Sequence, residues 1–241
     1  MKKLAAALAL SLLPLAFAAQ AEITTTDVVG RKVTVPDVPK RVVLGFYYED
    51  YLAIAGPGSL DRVVGLSLTT WKDWRPKQFA AYEKALPKLK TLPDVGSTDD
   101  NTFSIEKLIA TKPDLLILAT FSYEALGESV KQIEAAGIPV LVLDYLSQTV
   151  DKHVASTLAL GKIMGQEKRA QELADNYRKA FEDIDARIKK AGPTKKKVYF
   201  ELAQKGASEV GNSYGNSMWG ALITQLGGHN IAEGQVGNWG P

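Results

Sequence analysis

Aromatic residues in this chain gather where strands are expected to end, and broad rings with a polar edge suit a flat or chelated ligand. Tyr47 and Tyr48, Trp71 and Trp74, Phe121 and Tyr123, and Tyr145 come from the first part of the chain; Tyr214, Trp219 and Trp239 come from its far end. Arg75 is the basic residue best placed to pair with a carboxylate or catecholate oxygen. Core or lid packing is the competing reading, and it weighs more on any single ring than on the whole group. Tyr47, Tyr48, Trp71, Trp74 and Tyr123 carry the binding expectation most directly. Direct metal ligation has less support. The chain has two histidines, His153 and His229; one falls on a predicted helix and one just past a helix C-terminus, where a histidine more often meets the helix dipole. The phenolates of Tyr47, Tyr48 or Tyr214 are the alternative oxygen ligands for ferric iron or haem. Glu201 reads equally as a polar group of a cleft and as a satisfied buried acid.

The elements that must position these rings centre on residues 101–145. Ser104 is an expected N-cap, with Ile105, Leu108 and Ile109 on one helical face, and Pro113 ends that helix. Leu115–Ala119 is an uninterrupted apolar run, the pattern of a strand covered on both faces. Glu124–Ala136 reads as an amphipathic helix capped by Gly137, and Pro139–Asp144 as a second buried strand. A parallel pair joined by a helix crosses over right-handedly, and the ends of the two strands aim Phe121, Tyr123 and Tyr145 at one edge of the sheet. Ligands of open α/β sheets bind at that carboxyl edge.

The flanking sequence extends the alternation. Glu22–Pro36 reads as a hairpin turning at Val29-Gly30. Arg41–Gly45 and Arg62–Leu66 read as strands, Tyr47–Ala55 as a helix, and the stretch after Arg75 as a polar helix to about Ala85. Short connections between strands and helices indicate a doubly wound sheet. After Tyr145 two helices follow, Val150–Met164 and Glu167–Lys190, broken at Gly165; the second would form a rod roughly 36 Å long that Gly192-Pro193 stops. Lys197–Leu202 reads as a strand and Ser217–Leu226 as a helix ended by Gly227-Gly228. One strand and one helix cannot close a core, so either this end packs onto the first region or the chain is a fragment whose second lobe is incomplete, and the fragment is the favoured expectation.

Composition narrows the function. The chain has 241 residues, is 46% hydrophobic and 23% charged, and carries a net charge of +2. That is ordinary for a globular protein with a real core, and it gives no case for nucleic acid or an anionic membrane surface. Cysteine is absent, which excludes disulfides, thiolate metal sites and a cysteine nucleophile. Lys2 and Lys3, the apolar run Leu4–Phe17 and Ala19-Gln20-Ala21 read as a cleavable signal peptide over residues 1–21. No cysteine follows that run, so a soluble periplasmic product rather than a lipoprotein is expected. The chain lacks H-E-x-x-H, a P-loop and G-x-G-x-x-G after a strand; no G-x-S-x-G elbow and no enzyme are expected, an exported α/β hydrolase being the less favoured alternative. Asp99-Asp100 reads as a solvated turn rather than an acid–base pair. Neither repeats nor low-complexity stalks suggest an adhesive role.

Several stretches then resemble one family: DVVGRKVTVPDVPKRVV (27–43), VGS and SIEKLIATKPDLLIL (95–118), GIPVLVLD (137–144), LGKIMGQEKRA (160–170) and LGGHNIAE (226–233). They are similar, in order, to the periplasmic substrate-binding proteins of iron–siderophore, haem and cobalamin ABC importers. The resemblance implies two Rossmann-like α/β lobes with parallel sheets, joined by one long rigid helix, with a ligand held between them and little closure. It divides the chain into an N-terminal lobe (22–148), a helical segment (149–192) and the start of a C-terminal lobe (193–241). It implies a monomer without a resident cofactor, whose ligand is a ferric chelate, haem or corrinoid, with another chelate such as nickel in the same class. It also implies docking on an inner-membrane ABC permease through one surface carboxylate per lobe. Glu106, in Ser104-Ile105-Glu106-Lys107-Leu108, matches the first; the second would lie past Pro241.

Overall fold

The computed structural model describes residues 22–192, 196–202, 211–237 and 240. The expected leader (1–21) and Trp239 lie outside the described residues. Strands β1 (Ile23–Thr26) and β2 (Lys32–Val35) form the expected antiparallel hairpin. Asp27 holds its turn, accepting from the backbone N–H groups of Val29 (3.2 Å) and Arg31 (2.8 Å).

Strands β3 (Val42–Leu44), β4 (Val63–Leu66), β5 (Leu115–Ala119) and β6 (Val140–Leu143) form one parallel sheet in the order β4-β3-β5-β6. Successive side chains point to opposite faces. Val42, Leu44, Ile117, Leu141 and Leu143 therefore enter one core cluster, and Val43, Leu116, Leu118, Val140 and Val142 enter the other. Burial on both faces is why these strands read as continuous apolar runs. The chain leaves β3 through helix α1 (Tyr48–Ala55) to β4 on one side, and later returns to β5 on the other. That reversal opens a crevice at the carboxyl ends of β3 and β5.

Helices α2 (Leu68–Trp74) and α3 (Pro76–Ala85) follow β4, and α4 (Ile105–Ala110) precedes β5. Ser104 caps α4 as expected, its hydroxyl accepting from the Lys107 N–H at 3.2 Å. The single helix expected over Glu124–Ala136 is instead two: α5 (Thr120–Leu126) starts directly after β5, and α6 (Ser129–Ala135) follows a break. Gly127 at φ 47° makes that break, a conformation glycine reaches without a Cβ penalty. Helices α7 (Val150–Ile163) and α8 (Glu167–Ala191) pack as a tight pair. The 25 residues of α8 form a rod of roughly 37 Å. Beyond it, β7 (Lys197–Val198) pairs in parallel with β8 (His229–Asn230), and α9 (Met218–Gln225) lies between them in sequence. Strand β7 is much shorter than the expected Lys197–Leu202, because β8, its neighbour among the described residues, offers only two residues for pairing.

Candidate ligand-binding site

At the end of β3 the backbone turns sharply. Tyr47 takes up the left-handed conformation (φ 58°, ψ 46°) as the N-cap of α1, costing about 1 kcal/mol for a residue with a Cβ. The turn places Tyr47 and Tyr48 in different rings of contacts. The Tyr47 hydroxyl accepts from the Tyr145 N–H at 3.0 Å, and the two rings meet edge to face at 5.0 Å. Tyr48 stacks on Trp71 with centroids 4.6 Å apart and planes 7° apart, and its hydroxyl donates to the Ser67 carbonyl at 2.6 Å. Trp71 is buried; its Nε1–H donates to Glu49 at 3.0 Å, and the other Glu49 oxygen lies 3.6 Å from Arg75. One carboxylate thus holds a buried ring and a rim guanidinium together.

These groups enclose a cavity of about 240 Å³ at the carboxyl edge of the sheet. Six of the residues expected to bind ligand line it: Tyr47, Tyr48, Trp71, Trp74, Arg75 and Tyr145. Trp74 and Arg75 stand at its exposed rim. Glu49, Asp50, Gln148, His153 and Met218 also line it, and of these the sequence singles out His153 alone, as a weakly supported metal ligand. Glu49 and Asp50 directly follow the tyrosine pair, which is the sequence signal that could place them here. Tyr47, Gln148 and Met218 all have positive φ, between 46° and 58°; strained non-glycine backbone of this kind clusters at binding sites. The Met218 N–H donates to the Leu146 carbonyl at 3.1 Å, which ties the start of α9 to the loop after β6.

Burial sets the protonation of the lining. It pushes the hydroxyls of Tyr47, Tyr48 and Tyr145 far above the usual tyrosine range, so their phenolates do not form without a strong partner. Desolvation, followed by the charge of Glu49, raises Asp50 from 3.8 to about 6. Desolvation lowers His153, which is neutral at pH 7. Its Nε2 faces the Tyr145 carbonyl at 3.1 Å and so carries the proton.

The remaining expected site residues sit elsewhere. Phe121 packs edge to face on Phe46 at 5.0 Å, behind the cavity wall. Tyr123 belongs to the opposite core cluster, where the Arg31 guanidinium lies 4.6 Å above its ring. Tyr214 and the exposed Trp219 gather around Phe200, at 6.0 and 5.4 Å, and neither lines the aromatic cavity, although Met218 beside Trp219 does. Glu201 is exposed and accepts from the Gly211 N–H at 2.7 Å. His229 is exposed in β8, just past the Leu226 C-cap of α9. Glu106 stands exposed in the first turn of α4.

A G-x-S-x-G string does occur at Gly211-Asn212-Ser213-Tyr214-Gly215, although no nucleophile elbow was expected. It is not one. Ser213 is buried in an irregular bridge instead of a strand-to-helix turn, and its hydroxyl donates to the Phe200 carbonyl at 2.8 Å.

A parallel sheet with an aromatic cavity at its carboxyl edge, and one long helix leading to a second parallel pair, is the build of a solute receptor. The chain belongs to the periplasmic binding protein family of ABC importers, whose model matches residues 42–241. Its structure is similar to that of the TroA-like periplasmic binding protein FepB from Veillonella parvula. The two are 30% identical with a TM-score of 0.79, over 91% of this chain and 64% of that one. Among curated relatives, the molybdate-binding protein MolA of Haemophilus influenzae is 33% identical over 129 residues, 54% of this chain and 34% of that protein. The iron(3+)-hydroxamate-binding protein YxeB of Bacillus subtilis is 29% identical over 199 residues, 81% of this chain and 53% of that protein. The chain spans between 34% and 62% of the length of such relatives.

Proposed function

We propose that this protein captures a metal chelate, foremost a ferric siderophore complex, and delivers it to an ABC permease of the inner membrane. The observation that carries this reading is the aromatic-walled cavity at the sheet edge, with Tyr48 stacked on Trp71 and Arg75 at its mouth. The likeness to an iron(3+)-hydroxamate-binding protein supports it. Molybdate, the ligand in the name of another relative, is the second reading, and the lining argues against it. Glu49 and Asp50 both face the cavity, and Arg75, beside Glu49, is already engaged by it, so a bare oxyanion would meet like charge. Haem and corrinoids share the preference for flat aromatic walls and are competitors in the same assay.

The proposed protein acts by binding alone, as a monomer, in the periplasm after removal of residues 1–21. The N-terminal lobe (22–148), the helical segment (149–192) and the C-terminal portion (193–241) are its proposed units. Titrating the chain with a ferric trihydroxamate while following tryptophan fluorescence tests the reading. Saturable quenching without change in the chelate is expected; absence of saturation, or consumption of the chelate, overturns it.

Delivery is assigned to Glu106. Its exposure and its place in the first turn of α4 leave it free to meet a basic partner, and the helix N-terminus favours its charge. Glu106→Ala is expected to leave chelate affinity within twofold and to lower uptake by cells carrying the permease at least tenfold. A matching fall in affinity would place Glu106 in the binding machinery instead.

A further inference from the structure

We propose that a second cavity, sharing a wall with the aromatic site, is a subsite for an alkylammonium group. It encloses about 280 Å³ between α1, α7 and α8, and its lining includes Asp50, Tyr145, His153, Thr157, Leu173 and Tyr177. Asp50, Tyr145 and His153 line both cavities. The rings form a continuous ladder: Tyr145 meets His153 edge to face at 4.9 Å, and His153 stacks on Tyr177 at 4.5 Å with planes 3° apart.

The negative charge of this chamber is only weakly offset: Arg75 favours the Asp50 carboxylate from the first cavity, but less than desolvation and Glu49 oppose it. Among the described residues the Asp50 carboxylate takes part in no ion pair, and its own backbone N–H is its one hydrogen-bond donor. Among the described residues no lysine or arginine lines the chamber. Arg75 lines only the first cavity, 3.6 Å from Glu49, and Glu49 adds negative charge beside Asp50. His153 is neutral and spends its Nε2–H on the Tyr145 carbonyl. Tyr145 spends its hydroxyl on Thr157 at 3.3 Å.

A partly buried carboxylate among aromatic faces is complementary to a positive group with N–H donors and an apolar stem. The carboxylate gives a charge-assisted hydrogen bond, and the rings give cation–π attraction. A hydrated metal ion fits less well, since the lining also contains Ile54, Leu173 and Ala174, and no cluster of three metal-ligating side chains exists among the described residues. The ammonium can come from an arm of the chelate held in the first cavity, or from a free amine; the former rests on the chelate reading above.

Calorimetric titration of the chain at pH 7.5 separates these cases. The probes are n-butylammonium chloride, n-pentanol, and a ferric trihydroxamate with a free terminal ammonium beside its N-acetylated form. Butylammonium is expected to bind saturably and pentanol not at all, and the ammonium-bearing chelate should bind at least tenfold tighter than the acetylated one. Asp50→Asn should abolish both differences; Tyr177→Leu should weaken the ammonium ligands and leave the acetylated chelate unchanged. Butylammonium binding with equal affinity for both chelates assigns the subsite to free amines. Butylammonium binding with neither chelate bound keeps the subsite and sinks the chelate reading. Equal chelate affinities without butylammonium binding overturn the subsite and leave that reading standing, and binding of butylammonium that ignores Asp50→Asn overturns it too.

Discussion

Gly161→Ala is expected to lower the unfolding free energy by about 3 kcal/mol, at the upper end of overpacking effects. Gly161 lies in α7 where that helix crosses α8, and a Cβ built on it would sit 2.1 Å from the Cβ of Ala170 and 3.3 Å from the Gln166 carbonyl. An exposed helical glycine would gain about 1 kcal/mol from the same change, so the sign itself reports the close approach. The contact matters because α7 is the element through which the long α8 is fastened to the sheet. Removing the opposing methyl should relieve the overlap: in Gly161→Ala with Ala170→Gly, at least half the loss is expected back. Urea denaturation of the two single variants and the double variant measures the coupling. Additive losses would mean that the helices separate freely and that the pair does not set their distance.

Asp50→Asn is expected to stabilise the protein by about 2 kcal/mol at pH 7.5 and hardly at all at pH 4. The folded carboxyl titrates near 6 because desolvation outweighs every favourable contact, against 3.8 for the ordinary group. Between those values the folded state holds a proton that the unfolded chain has released. Stability therefore falls as pH rises from about 4 through 6, and the full penalty is present above about 7. Two pH units correspond to about 3 kcal/mol, reduced here because the side chain keeps some access to water. An amide of the same shape carries no charge to desolvate, so the gain should grow with pH. Calorimetric melting of both proteins from pH 4 to pH 8 tests this, and an equal gain at every pH would sink it. A destabilising charge kept inside a cavity is the usual signature of a group retained for binding rather than for folding.

Much of this molecule is legible in the chain alone. Leu115–Ala119 matches β5 residue for residue, because a strand buried on both faces leaves no polar interruption. Ser104 and Pro113 bracket α4 by purely local chemistry, a side-chain cap at one end and a missing N–H at the other. The three- and four-residue spacing of apolar side chains places α8 to within a residue at its C-terminal end. Local signals fail where the outcome hangs on a neighbour distant in sequence. The length of β7 is set by the two residues β8 offers it. Tyr123 and Tyr145 both follow a strand, yet the first joins the opposite core cluster under Arg31 and the second closes the cavity against Tyr47.

Sequence by itself determined the parallel α/β class, the long helix and the tyrosine and tryptophan pairs at the sheet edge, since hydrophobic period, caps and strand-end position are written within a few residues. Tertiary structure alone decided which rings meet, that Glu49 joins Trp71 to Arg75, and that Asp50, in no ion pair among the described residues, stands beside a second chamber. The physical reason is that desolvation and ring stacking depend on what α1, α7 and α8 bring from far along the chain, and no local pattern records that distance.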